Sequence, residues 1–184
     1  MRFEILVITI IGFTIIASTS TQAFAAVDMF LKIDGIDGES ADSKHKGEID
    51  IQSWSWGASQ TGSMAMGAGG GAGKVSMQDL SITKHIDKAT PKLFEALVTG
   101  KHLKEAKLVL RGSGGSQVEY LVITLTDVLV SSYSTGGSSG EDRPTESLSF
   151  NFAQMKMSYV EQDAKVIPGP AVEFGWDVKA NKKV

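Results

Sequence analysis

Three stretches of this 184-residue chain have the spacing of known chemical motifs, and each fails on the element that would have to carry it. Gly67-Ala68-Gly69-Gly70-Gly71-Ala72-Gly73-Lys74-Val75 approximates the phosphate-cradling pattern G-x-x-x-x-G-K-[ST]. Ala68 stands where the first glycine belongs, and Val75 replaces the hydroxyl that would ligate Mg²⁺. A strand pattern follows, so no helix N-terminus would face a phosphate. Gly136-Gly137-Ser138-Ser139-Gly140 satisfies G-x-S-x-G. A nucleophile elbow needs a strand before it and a helix behind it. Here Asp142-Arg143-Pro144 and another strand follow. Ser81-Ile82-Thr83-Lys84 has S-x-x-K spacing, but on a strand residues three apart point to opposite faces.

The other polar candidates are weaker. His45, His85 and His102 are isolated, and none forms a two-histidine ligand spacing. Asp34, Asp37, Glu39 and Asp42 lack the offsets of a calcium loop and read as a solvated turn. Trp54 and Trp56 suit a ligand platform or a core, and paired aromatics on a strand favour the core. The absence of cysteine removes disulfides, thiolate metal sites and thiol nucleophiles together. With 18 Lys+Arg against 21 Asp+Glu, the chain has no broad basic footprint for nucleic acid. These residues predict neither an enzyme nor a bound cofactor or metal.

The elements that must position these residues are strands. Val27, Met29, Leu31 and Ile33 point one way, with Asp28 and Lys32 among those pointing the other, and Ala106, Leu108 and Leu110 alternate with Lys107 and Arg111. Val172, Phe174, Trp176 and Val178 predict a half-buried strand. The run 118–130 is apolar on both faces and predicts a long central strand covered on each side. Three alternations change phase: 49/51 to 54/56, 75/77 to 80/82/86, and 148/150/152 to 155/157/159. A one-residue shift moves the apolar set to the other face, so each predicts a bulge or bend at a corner of two sheets. One helix is predicted, with Thr90 as N-cap, Pro91 at N1, a stripe of Leu93, Phe94, Leu97 and Val98, and Gly100 as the stop. It is long enough to plug one end of a barrel. Two segments read as loops: 57–73, rich in glycine, and 131–144, rich in Gly and Ser.

Residues 1–25 differ from the remainder. Ile5 to Ala17 is uncharged and too short to span a bilayer, and Ala23-Phe24-Ala25 has the form of an export cleavage site. Arg2 is offset by Glu4, which leaves an anchor or a misplaced start codon as alternatives to a cleaved signal. The expected organisation is 1–25 as signal or hydrophobic segment and 26–184 as one domain. The product is then periplasmic if the signal is cleaved, and otherwise cytoplasmic before secretion.

Ordered blocks across residues 26–178 carry a resemblance. They include Ala26-Val27-Asp28-Met29-Phe30-Leu31-Lys32-Ile33, Gly38-Glu39-Ser40, Glu48-Ile49-Asp50-Ile51, Trp54-Ser55-Trp56-Gly57 and Gly73-Lys74-Val75. Gln78-Asp79-Leu80-Ser81, Ile86-Asp87-Lys88-Ala89-Thr90-Pro91, Gln117-Val118-Glu119-Tyr120-Leu121, Ser134-Thr135-Gly136-Gly137, Asn151-Phe152-Ala153-Gln154 and Phe174-Gly175-Trp176 continue the series. On these blocks the chain resembles the Hcp (haemolysin-coregulated) tube proteins of bacterial type VI secretion systems. The resemblance implies an all-β fold, a β-barrel of two sheets with one short α-helix. It also implies a homohexameric ring that stacks into the inner tube, carries small secreted effector proteins, and meets spike and sheath proteins. With both tryptophans in the core, Ser53 and Ser55 are expected to face the lumen. Gly57, Gly62, Gly67, Gly69, Gly70, Gly71, Gly73 and Lys74 are expected to form a ring-contact loop. Family tube proteins are loaded from the cytoplasm, so an export signal is a departure. The alternative is an exported ring or binding protein outside the tube.

Overall fold

The computed structural model describes residues 27–60, 74–112, 117–140, 142–161 and 169–184. The expected signal segment and six of the loop glycines, Gly62, Gly67, Gly69, Gly70, Gly71 and Gly73, lie outside them. In chain order the strands are β1 (Val27–Ile33), β2 (Ile49–Asp50), β3 (Ser53–Ser55), β4 (Ala58–Ser59), β5 (Ser76–Met77) and β6 (Leu80–His85). Helix α1 (Thr90–Thr99) follows, and then β7 (Leu103–Gly112), β8 (Glu119–Gly136), β9 (Thr145–Tyr159), β10 (Val172–Asp177) and β11 (Lys182–Lys183).

All pairings are antiparallel. One nine-stranded sheet runs β11-β10-β9-β8-β7-β1-β2, with β6 branching from β9 and β3 pairing β6, while β4 and β5 form a separate two-stranded ribbon. The branch arises at a shared kink in β8 and β9. Below it, residues 119–126 of β8 pair β7, a ladder that ends one residue past the kink at Leu103↔Val128, and residues 154–159 of β9 pair β10. Above it, residues 145–150 of β9 pair β6. The kink lies where Asp127 takes φ 53°, a left-handed conformation that Asp tolerates better than most side chains. Both strands change phase there: Ile123 and Leu125 give way to Val128 and Val130, and Phe152 gives way to Met155, all six buried. The phase change in 148–159 is therefore a bend, as expected, and β8 bends with it.

The other two predicted phase changes are strand breaks, β2 to β3 and β5 to β6. The first forms the barrel seam. β2 pairs β1 through Phe30↔Asp50 and Leu31↔Ile49, and β3 pairs β6 through Ser53↔Thr83, Trp54↔Ile82 and Ser55↔Ser81. Between them the Ile51 amide donates to the Met29 carbonyl at 2.9 Å, and the Gln52 amide donates to the Thr83 carbonyl at 2.8 Å. The expected barrel is thus not closed by a continuous ladder, because consecutive residues of one short segment serve opposite walls.

Four expectations change in detail. The central strand β8 extends to Gly136, so the second loop shortens to 137–144, and outward Val122 and Leu129 are only half-buried. The helix buries Leu93 and Ala96 and leaves Phe94 and Val98 exposed. Its cap is not Thr90. Asp87 Oδ1 accepts from the Ala89 amide (2.9 Å), while the Thr90 hydroxyl accepts from the Asp87 amide (3.1 Å) and donates to Glu146 (2.9 Å). Gly100 closes the helix as expected, at φ 61°. On β10, Val172 and Phe174 are exposed, since nothing in the described chain covers them.

Candidate functional site

Four strands, β3, β6, β9 and the outer part of β8, lie side by side with their residues in register. One row reads Ser53, Thr83, Ser147 and Ser134, and a second, two residues along, reads Ser55, Ser81, Ser149 and Ser132. Directly paired residues of neighbouring strands share a face, so these eight hydroxyls form one polar surface. The row between them, Trp54, Ile82, Leu148 and Tyr133, points the other way and packs on the core. Period-2 geometry therefore sorts one sheet into a wet and a dry side. Burying Ile82 and Leu148 contributes about 1.5–3 kcal/mol each to holding it on the core.

The surface is shallow, with a depression of about 180 Å³ lined by Ser53, Ser55, Ser81, Thr83, Ser147 and Ser149 among others. Ser81 and Ser149 hydrogen-bond across strands at 2.9 Å, and Thr83 and Ser147 at 3.3 Å. Those contacts use part of the donor and acceptor capacity of each hydroxyl and leave the remainder for a ligand. Both rows are uncharged, and charge stands only at the margins. Asp79 accepts from Asn151 (2.8 Å) and Ser131 (2.5 Å) at one end. At the other end Glu39, Asp50, Gln52, His85 and Arg143 line a depression of about 190 Å³. There the Arg143 carbonyl faces His85 Nδ1 at 3.2 Å, which requires the proton on Nδ1, so Nε2 accepts from Gln52 at 2.7 Å. Such a face can hold a polypeptide surface by many small neutral contacts. It offers no nucleophile paired with a base and, among the described residues, no cluster suited to a metal.

Behind this face, Lys84 is fully buried between Glu146 (2.7 Å) and Asp87 (2.6 Å). Burial and then the neighbouring Glu146 carboxylate push the Tyr133 phenol above its ordinary pKa. This network fixes β6, β9 and the start of α1 relative to one another, and so sets the registers on which the hydroxyl rows depend.

Ser53 and Ser55 sit on the exposed side, with both tryptophans packed against the core on the other. Gly57 and Lys74 flank the β4–β5 ribbon, whose residues Ala58, Ser59 and Ser76 are exposed. Trp56 is fixed by its indole N–H donating to the Gln78 carbonyl at 2.9 Å. The other six hydroxyl residues were not expected on this face, although Ser81 and Thr83 stand in the S-x-x-K stretch. Their signal was present as a four-fold recurrence of Ser-x-Ser or Ser-x-Thr at 53/55, 81/83, 132/134 and 147/149. The turn of acidic residues also proved more occupied than expected, since Asp42 makes two bonds to Arg111 (2.6 and 3.0 Å) and Glu39 accepts from the Lys88 amide.

A family model described as "Type VI secretion system effector, Hcp" matches residues 30–159. The chain belongs to the Hcp family. It is 58% identical over 158 residues to Protein hcp1 of Pseudomonas aeruginosa, a match covering 85% of this chain and 98% of that one. Among solved structures, one described as a type six secretion system protein superposes with a TM-score of 0.82 at 35% identity, covering 86% of this chain and all of that one. Hcp1 from Salmonella typhimurium superposes at 0.73 with 42% identity, over 86% and 99% of the two chains. A type VI secretion effector from Yersinia pestis does so at 0.67 with 37% identity, over 82% and 100%. Membership places this protein in type VI secretion. The hydroxyl-lined sheet is then the feature of this Hcp chain through which a function must be read.

Proposed function

We propose that this chain is a non-catalytic, ring-forming subunit of the type VI inner tube, and that small effector proteins ride against its hydroxyl face. The observation that carries the reading is the four-stranded polar sheet and its two unpaired borders. Among the described residues β3 pairs only β6, and residues 132–136 of β8 pair only β9. A sheet with free edges on opposite sides is an aggregation hazard unless the edges are covered. Head-to-tail pairing of identical copies covers both and closes into a ring when the rotation per copy is right. The hydroxyl rows then continue from copy to copy around an uncharged inner wall. The β4–β5 ribbon, flanked by Gly57 and Lys74, pairs separately from the main sheet and packs Met77 against the core. It suits contact with a neighbouring ring by the uncharged loop of which Gly62, Gly67, Gly69, Gly70, Gly71 and Gly73 are part, because no lone charge is buried there.

Ser55→Arg and Ser149→Arg test the reading. Each places a long charged side chain in a small polar row, so co-purification of effectors should be lost while light scattering still detects rings. Unchanged cargo with intact rings would refute the carrier role, and a strict monomer at high concentration in the parent protein would refute the ring. A second reading, an exported ring or binding protein outside the tube, is favoured by Ile5–Ala17 and the Ala23-Phe24-Ala25 site. Mass spectrometry of the native N-terminus after fractionation separates the two. Ala26 as first residue in a periplasmic fraction supports export, and a cytoplasmic species supports the tube.

A further inference from the structure

We propose that the segment 34–48 is a lid held over Phe30 by a clamp at His45 that tightens when the imidazole is protonated. The inference is independent of the ring and cargo reading. Leu31 and Ile33 face the main core, so Phe30 and its cross-strand partner Val109 point to the opposite side of the sheet. Both are nevertheless buried, Phe30 at 4% exposure and Val109 at 1%. The cover over Phe30 is His45, whose ring stacks on it at a centroid separation of 4.1 Å and an interplanar angle of 10°.

Besides the exposed Glu39–Arg143 pair (3.5 Å), two further charged contacts fasten the lid. The first is Asp42 to Arg111, with Asp28 also on that guanidinium at 2.9 Å. The Arg111 guanidinium and the Lys44 amide hold the Asp42 carboxyl well below the usual carboxylate range, so this contact stays charged from mild acid to mild base. The second is His45, itself 5% exposed. Its Nδ1 lies 2.9 Å from Glu48 Oε2, and a carboxylate only accepts, so Nδ1 carries hydrogen. Nε2 has no hydrogen-bond partner and faces Glu119 Oε1 at 3.6 Å. In the neutral ring that nitrogen turns a lone pair toward a carboxylate. In the imidazolium it turns an N–H toward the same atom, and the lid gains a bond to β8. The other charges near the ring are accounted for: Arg111, which lies over the Phe30 ring (4.9 Å) and is matched by Asp28 and Asp42, and Lys44 and Lys46, which are exposed.

The test is hydrogen exchange of the full chain at pH 8 and pH 5.5, corrected for intrinsic rates, at a concentration where light scattering gives the same assembly state at both. Amides 39–47 should be protected about five-fold more at the lower pH, a factor ordinary for one clamp of this kind. His45→Gln and Glu119→Gln should each flatten the response and leave the remaining sheet amides unchanged. Should His45→Gln fail to fold, Glu119→Gln and direct ¹⁵N detection of both imidazole nitrogens in the parent protein decide the matter. A pH-independent lid in the parent, or a response that survives in Glu119→Gln, overturns the proposal.

Discussion

Replacing Lys84 by methionine is the sharpest probe of what holds the functional sheet. The ammonium is fully buried, and its three N–H groups face four acceptors: Asp87 (2.6 Å), Glu146 (2.7 Å), the His85 carbonyl (3.0 Å) and, more distantly, Thr90 (3.3 Å). Glu146 is equally buried, and its Oε2 already lacks a hydrogen-bond partner. Methionine fills most of the volume, so little cavity cost arises and the loss is electrostatic. Stranding a buried carboxylate by removing its counter-ion costs about 3–5 kcal/mol. For a domain of this size that lowers Tm by roughly 10 °C. The assay is urea unfolding followed by tryptophan fluorescence at one protein concentration, with assembly state checked because association shifts apparent stability. Two controls isolate the cause. Lys84→Met with Glu146→Leu should regain about half of the loss or more, since apolar replacement of a whole buried pair is often neutral. Glu146→Leu alone should also destabilise, since it leaves the buried Lys84 ammonium without that carboxylate. A Lys84→Met protein within about 1 kcal/mol of the parent would refute the argument that this network positions β6, β9 and α1.

Two further outcomes test other parts of the fold. An added Cβ at Gly38 would lie 2.4 Å from the Glu48 carbonyl oxygen and 2.5 Å from Ile49 Cα, both backbone atoms. Gly38→Ala should therefore displace β2 at the barrel seam and destabilise by about 3 kcal/mol or more, measurable by the same unfolding curves. Asp42 is depressed chiefly by Arg111. A carboxyl with a depressed folded pKa stabilises fully above its unfolded value near ~4, and that contribution disappears as pH falls toward the folded value. Asp42→Asn should thus flatten the decline of stability between about pH 5 and 2 relative to the parent, as read by an acid titration of circular dichroism. An unchanged acid limb would sink that assignment.

Alternation and turn chemistry in the chain were enough for the fold class. Leu31/Ile33, Leu108/Leu110 and Leu148/Phe150 mark half-buried strands on their own, because one face of each meets a core. Pro91 and Gly100 mark the helix for equally local reasons. The hydroxyl face was opaque for the converse reason. Residues 132–136 carry no apolar alternation, since their strand is wet on one side and offers only Tyr133 to the core on the other, so they read as loop. Only the registers Ser53↔Thr83↔Ser147↔Ser134 and Ser55↔Ser81↔Ser149↔Ser132 bring four distant Ser-x-Ser or Ser-x-Thr pairs together. The partners of buried charge were equally out of reach. Lys84 with Glu146, Arg111 with Asp28 and Asp42, and His45 with Glu119 join residues 62 to 83 positions apart, and a charge gives no local sign of whether it will be solvated or enclosed. Local pattern determined which segments became strands and helix, because backbone geometry and one-sided burial act over a few residues. Which polar groups meet was decided by the kink at Asp127 and the seam at Ile51–Gln52, because those two bends set how the walls face one another.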